Sequence, residues 1–223
     1  MKQFSDDDIV LKHALPTRIF HWCLVCSFLP AAFTGIILFL RPFSNNGMHL
    51  TMQVHIVSAW VLCIACLLFL VFQFKRVIAF CREIFSWSKN DIKWMMLCGG
   101  YPQKIFLGRT IEVPPMRKMN SGQKFMGIIV AFGTIIMIIT GLVLYIALPE
   151  IPKEIAFVTD RIHLVAGVLL TVCVCCGHMV LGIYNWNEFK CMFGDGTTKI
   201  NKIKEHNELW VEYDIEPVKS NAE

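Results

Sequence analysis

Four apolar runs, at about 19–40, 54–74, 124–148 and 162–184, constrain this chain more than any other feature. Each is long enough to cross a hydrocarbon layer of about 30 Å, which takes roughly 20 apolar residues as a helix. Lipid offers no partner to a backbone N–H or C=O, so a run of this kind pairs them internally by forming a helix. The composition agrees: 55% of residues are hydrophobic and 17% charged, against about a quarter charged in soluble domains. The expected fold is an all-α integral membrane protein, a four-helix transmembrane bundle. Residues 1–184 would form the membrane domain, with a long loop at 75–123, and residues 185–223 a polar tail.

Charge sets the expected orientation. Of 21 Lys and Arg, all but Arg41, Lys153 and Arg161 fall in the N-terminal leader, the 75–124 region or the tail. The positive-inside rule puts those segments, and hence both termini, in the cytoplasm. Basic residues so placed need no nucleic acid as partner; membrane lipid suffices. The leader is acidic and its apolar run too long for a secretory signal, so the first span is expected to remain as a helix. Cys23/Cys26 and Cys63/Cys66 have CxxC spacing, but each pair lies within a span and reads as packing.

The long loop is expected to be ordered. KRVIAFCREIFSW is amphipathic, DIKWMMLC suggests a short helix with Asp91 near its cap, and GGYP marks a turn. In span three, Gly127, Gly133 and Gly141 allow close helix contact.

Histidine is rare in membrane helices and is the commonest side-chain metal ligand. His163 and His178 are fifteen positions apart on span four, which is roughly 22 Å along an α-helix and about 60° around it. With spans one and three running outward and two and four inward, His21 and His178 lie near the cytoplasmic face. His55 and His163 lie near the outer face. Two depth-matched pairs result, each able to supply both axial ligands of one haem iron, with bundle helices facing one another across the cofactor. His49 competes with His55 from the membrane edge, and His13 and His206 fall outside the spans. No CxxCH motif exists, which excludes covalent haem attachment on motif grounds. A haem-free membrane anchor or a metal transporter is the alternative of another class. A weak internal echo aligns FTGIILFL with ITGLVLYI and HIVSAWVL with HLVAGVLL, putting His55 and His163 at one level.

Arg18-x-x-His21-Trp22, Thr34-Gly35, MNSGQK at 119–124, Thr140-Gly141, Arg161-x-His163 and KEHNELW together resemble the cytochrome b (gamma) subunits of membrane-bound formate dehydrogenases. The likeness runs from about 16 to 213. Cytochromes b of membrane-bound nickel-iron hydrogenases share the His-Trp opening and are the nearest competitor, with other molybdenum oxidoreductases behind them. The resemblance implies a subunit of the bacterial inner membrane carrying two haem b groups. His55 and His163 would bind the outer haem, His21 and His178 the inner. Electrons would come from an iron–sulfur beta subunit with its own membrane anchor, fed by a catalytic alpha subunit containing molybdenum or tungsten, and would reduce menaquinone or ubiquinone. Asn120 and Gly122 match quinone-binding positions, with Gln123 and His178 beside them; an N-cap turn is the plain alternative for 120–122. Two departures from the family stand out: the fifteen-residue separation on span four is one longer than expected, and Ser58-Ala59 replaces an expected glycine.

Overall fold

The computed structural model describes residue 5, residues 7–204 and residues 207–213; His206 lies outside the described residues. Four helical spans are long and apolar enough to cross a membrane: Leu15–Leu40, Asn45–Phe72, Ser121–Ala147 and Lys153–Tyr184. Each begins before the apolar run does, because the polar residues ahead of it already form helical turns. His49 therefore stands on the second span rather than in a loop, with its Nε2 3.1 Å from Gln53 Nε2.

The chain divides into two compact units. One comprises Ile19–Val77 and Ile129–Leu181. It contains most of helix α1 (Leu15–Leu40), all of α2 (Asn45–Phe72) and α7 (Lys153–Val172), and the later part of α6 (Ser121–Leu142). Its burial pattern is inverted relative to a water-soluble bundle. Phe33, Leu67, Phe132 and Leu169 face outward, while Ser27, Thr34, Ser58 and Thr140 are buried. Lipid is as apolar as leucine, so helices gain little by hiding leucine and associate through small and polar residues. The buried hydroxyls are satisfied locally: Ser27 donates to Cys23 O at 2.7 Å, Thr34 to Pro30 O at 2.6 Å and Thr140 to Ile136 O at 2.7 Å.

Close packing of α6 on α7 runs through glycine. A Cβ at Gly133 would stand 2.9 Å from Leu170 Cδ1, inside contact distance, and one at Gly167 3.2 Å from Met137 Cε. Gly133→Val is therefore expected to destabilise the bundle by about 1–3 kcal/mol, as overpacking does. A thermal midpoint in detergent below that of a lipid-facing control such as Leu169→Val would show it; an unchanged midpoint would refute it.

Two helical stretches depart from α geometry. Val143–Ala147 and Cys173–Met179 are π-helical, the second containing His178. A π segment accommodates one surplus residue within a continuing helix. The second π segment lies between His163 and the end of span four, where the resemblance implies a His163–His178 separation one residue shorter. Counting fourteen effective steps leaves the two about 40° apart on the other side of the axis, instead of about 60°.

The other unit comprises the described residues within Met1–Arg18, Ile78–Ile128 and Gly182–Glu223. It holds most of α3 (Phe74–Phe85), all of α4 (Lys89–Met96) and α5 (Tyr101–Leu107), and the start of α6. Helix α4 is set by a reciprocal capping box in which Ser88 Oγ accepts from Asp91 N and Asp91 Oδ2 accepts from Ser88 N. The GGYP turn places Gly99 and Gly100 at φ 61° and 74°, and a Cβ at Gly99 would collide with the Trp94 ring at 2.3 Å. Strand β1 (Ile9–Leu11) pairs antiparallel with β2 (Thr197–Lys199), with Val10 opposite Thr198. Val10 then packs with Ile200, Ile203, Trp210 and Val211 in the apolar cluster of this unit. Leader and tail, read from the sequence as polar extensions, thus build structure with each other.

Candidate functional site

The four membrane histidines meet as two pairs. His55 on α2 and His163 on α7 have ring centres 6.3 Å apart, with planes at 74°. His21 on α1 and His178 in the π segment are 6.1 Å apart, at 58°. A metal–imidazole bond of about 2.0–2.1 Å, with the ring centre roughly 1.1 Å behind its nitrogen, sets two imidazoles sharing one ion about 6.2 Å apart. Both pairs have that separation.

The proton positions at the first pair follow from its neighbours. His55 Nδ1 lies 3.0 Å from Ala31 O and 3.1 Å from Thr34 Oγ1. A carbonyl only accepts, so Nδ1 carries the hydrogen. His163 Nδ1 lies 2.8 Å from Thr140 Oγ1, whose own hydrogen is committed to Ile136 O. Here too Nδ1–H donates. Each ring then keeps its lone pair on Nε2, the form that binds a metal. Gly35 and Gly141 stand beside the same rings: an added Cβ would come 3.5 Å from His55 Cε1 and 3.3 Å from His163 Cε1. The Thr-Gly pairs of spans one and three therefore make the same contact with the histidine of the following span. Sequence reasoning uses this echo only as an alignment of depth and misses Thr34 and Thr140 as hydrogen-bond partners of these histidines; the repeated Thr-Gly is the available signal.

The second pair is supported differently. Among the described residues His21 Nδ1 is buried without a hydrogen-bond partner, and its ring meets Trp22 edge-on at 5.6 Å. A buried imidazole nitrogen left unmatched is costly in an apolar setting unless something else binds it.

Asn120, Gly122 and Gln123 belong to the other unit. Asn120 N donates to Gln123 Oε1 at 3.0 Å and Gln123 N to Asn120 Oδ1 at 2.9 Å, a reciprocal cap on α6. Gly122 faces the Trp94 ring, which an added Cβ would approach to 3.0 Å. The cap uses Asn120 Oδ1 and leaves its amide Nδ2 over. Next to this turn Lys124 Nζ pairs with Asp91 Oδ1 at 2.9 Å and donates to Ser86 O at 2.7 Å, and Ser121 Oγ donates to Asp91 Oδ1 at 3.0 Å. Burial opposes ionisation of Asp91, but the bonds from Lys124 and Ser88 together outweigh it and hold the carboxyl below its usual range.

A family model described as prokaryotic cytochrome b561 matches residues 12–195. The formate dehydrogenase cytochrome b556 subunit of Haemophilus influenzae is 26% identical over 148 residues, covering 64% of this chain and 57% of that protein. The chain thus spans a little over half the length of this curated relative. The family match takes in all four spans and all four paired histidines. On that coverage the chain belongs to the prokaryotic cytochrome b561 family, membrane proteins that bind haem b.

Proposed function

We propose that this chain is the di-haem b membrane subunit of a respiratory formate dehydrogenase and passes electrons to quinone. The observation that carries the reading is the two imidazole pairs, each at the separation one iron requires. Two bound haem b groups would supply one-electron redox chemistry at two depths, their potentials set by axial ligands and burial. The protein's part is to hold His55 with His163 and His21 with His178, neutral and correctly turned, inside lipid-facing walls that exclude water.

The named function of the Haemophilus influenzae relative supports formate as the donor substrate. On this reading the catalytic subunit, containing molybdenum or tungsten, and an anchored iron–sulfur subunit are separate chains. The concentration of Lys and Arg in the leader, the 75–124 region and the tail supports a bacterial inner-membrane orientation with both termini cytoplasmic. Quinone reduction is assigned to the cytoplasmic side, with Asn120 Nδ2 as a donor to a quinone oxygen and Gly122 and Gln123 as further contacts.

The test is a dithionite-reduced minus oxidised spectrum of the purified complex, with haem counted per chain. Two b-type haems per chain are expected. A fully assembled, haem-free protein would overturn the proposal in favour of an anchor or a transporter, and one haem per chain would make one histidine pair structural.

A further inference from the structure

The two histidine pairs are not chemically equivalent. His55 and His163 each donate Nδ1–H to a threonine oxygen, at 3.1 and 2.8 Å, and His55 also to a backbone carbonyl at 3.0 Å. In the other pair, among the described residues, neither His21 Nδ1 nor the His178 side chain has a hydrogen-bond partner. An acceptor on Nδ1–H draws the ring toward imidazolate, which makes Nε2 a stronger donor and favours the more positive metal state. Outer-shell partners of this kind fix the tautomer and raise ligand basicity.

We infer that Thr34 and Thr140 are positioning residues that turn His55 and His163 toward a shared iron and lower the potential of that haem below the one on His21 and His178. This rests on the di-haem reading. The threonines are suited to it by location: each is buried, each gives its own hydrogen to the carbonyl four residues earlier, and each therefore presents only an oxygen lone pair to the imidazole. Rotation of the hydroxyl away from that geometry would cost its bond to Pro30 O or Ile136 O. The polarity is the useful one for a wire. A lower potential at the pair where electrons enter makes transfer to the second pair downhill.

The test is a redox titration of the purified complex carrying Thr34→Val, Thr34→Ser, Thr140→Val or Thr140→Ser, with haem content measured on each. Valine keeps the shape and removes the hydroxyl acceptor, the sole one for His163 among the described residues and one of two for His55; serine keeps it. The expected result is two haems in every variant, with Thr140→Val raising the lower of the two midpoint potentials, Thr34→Val raising it less because Ala31 O still accepts from His55 Nδ1, the higher potential unmoved, and both serine variants near wild type. Loss of one haem in the valine variant with retention in the serine variant supports the same positioning role. Valine variants with wild-type potentials, or valine and serine variants that lose haem alike, would overturn it. Failure of the di-haem reading is told apart because it appears already in the wild type, as fewer than two haems per chain.

Discussion

On the proposed di-haem reading, His163→Ala is expected to leave one haem b per chain in place of two and to abolish formate-to-quinone electron transfer. With the ring gone, an ion held beside His55 would have one protein ligand instead of two, and Thr140 would face an empty space in place of Nδ1–H. Removing even an outer-shell partner of a metal ligand costs about 10–100-fold in affinity or activity, so removal of the ligand itself should exceed that. His178→Ala should give the same haem count by losing the other group, because its partner is His21. The double variant should be colourless. The distinction between the singles lies in which midpoint potential survives. Haem quantified per chain after purification checks all three, and two haems retained in either single variant would remove that residue from the ligand set.

The second large effect concerns stability. Asp91→Asn leaves the Lys124 ammonium without its counter-charge at a site where the two side chains are 2% and 4% exposed. Breaking a buried pair in this way costs about 3–5 kcal/mol, whereas replacing both members by apolar residues is often near neutral. Asp91→Asn should therefore melt far below the wild type at a fixed scan rate, and Asp91→Leu with Lys124→Met should recover most of the loss. Equal melting of the single variant and the wild type would show that the pair is dispensable. The pH dependence has a definite sign. The Asp91 carboxyl is held below its ordinary value of 3.8, so its contribution is complete above that value and fades as pH falls through the lower folded-state value. The wild type should lose more stability on acidification through this window than Asp91→Asn does.

The membrane fold is readable because lipid imposes one rule on every span: helix, apolar outside. The pairing of His55 with His163 and of His21 with His178 is readable too, since direction and depth leave few choices once four spans are counted. What escapes is what depends on distant or very short pieces of chain. Strands β1 and β2 have three residues each, and Ile9 meets Lys199 across nearly the whole sequence. No local periodicity announces such a pairing. Helix α5 escapes for a similar reason, since seven residues after a turn carry little pattern. The Asn120–Gln123 turn shows the opposite case. The family resemblance suggests quinone there with an N-cap turn as the alternative, and the structure gives Asn120 and Gln123 a reciprocal cap and Gly122 an aromatic neighbour. A quinone contact there would have to coexist with these structural duties.

The π-helical turn at Cys173–Met179 means that distance along the chain and direction around the helix part company just before His178. In the language of insertions and deletions, this turn is one residue of slack. A chain shortened by one position there could close into ordinary α-helix and still aim both histidines as they are aimed now. A chain lengthened by one has no such reserve and would swing His178 away from His21. Alignments of this span should therefore place their gaps inside Cys173–Met179, and histidines matched by counting from His163 alone will fall one position out of step.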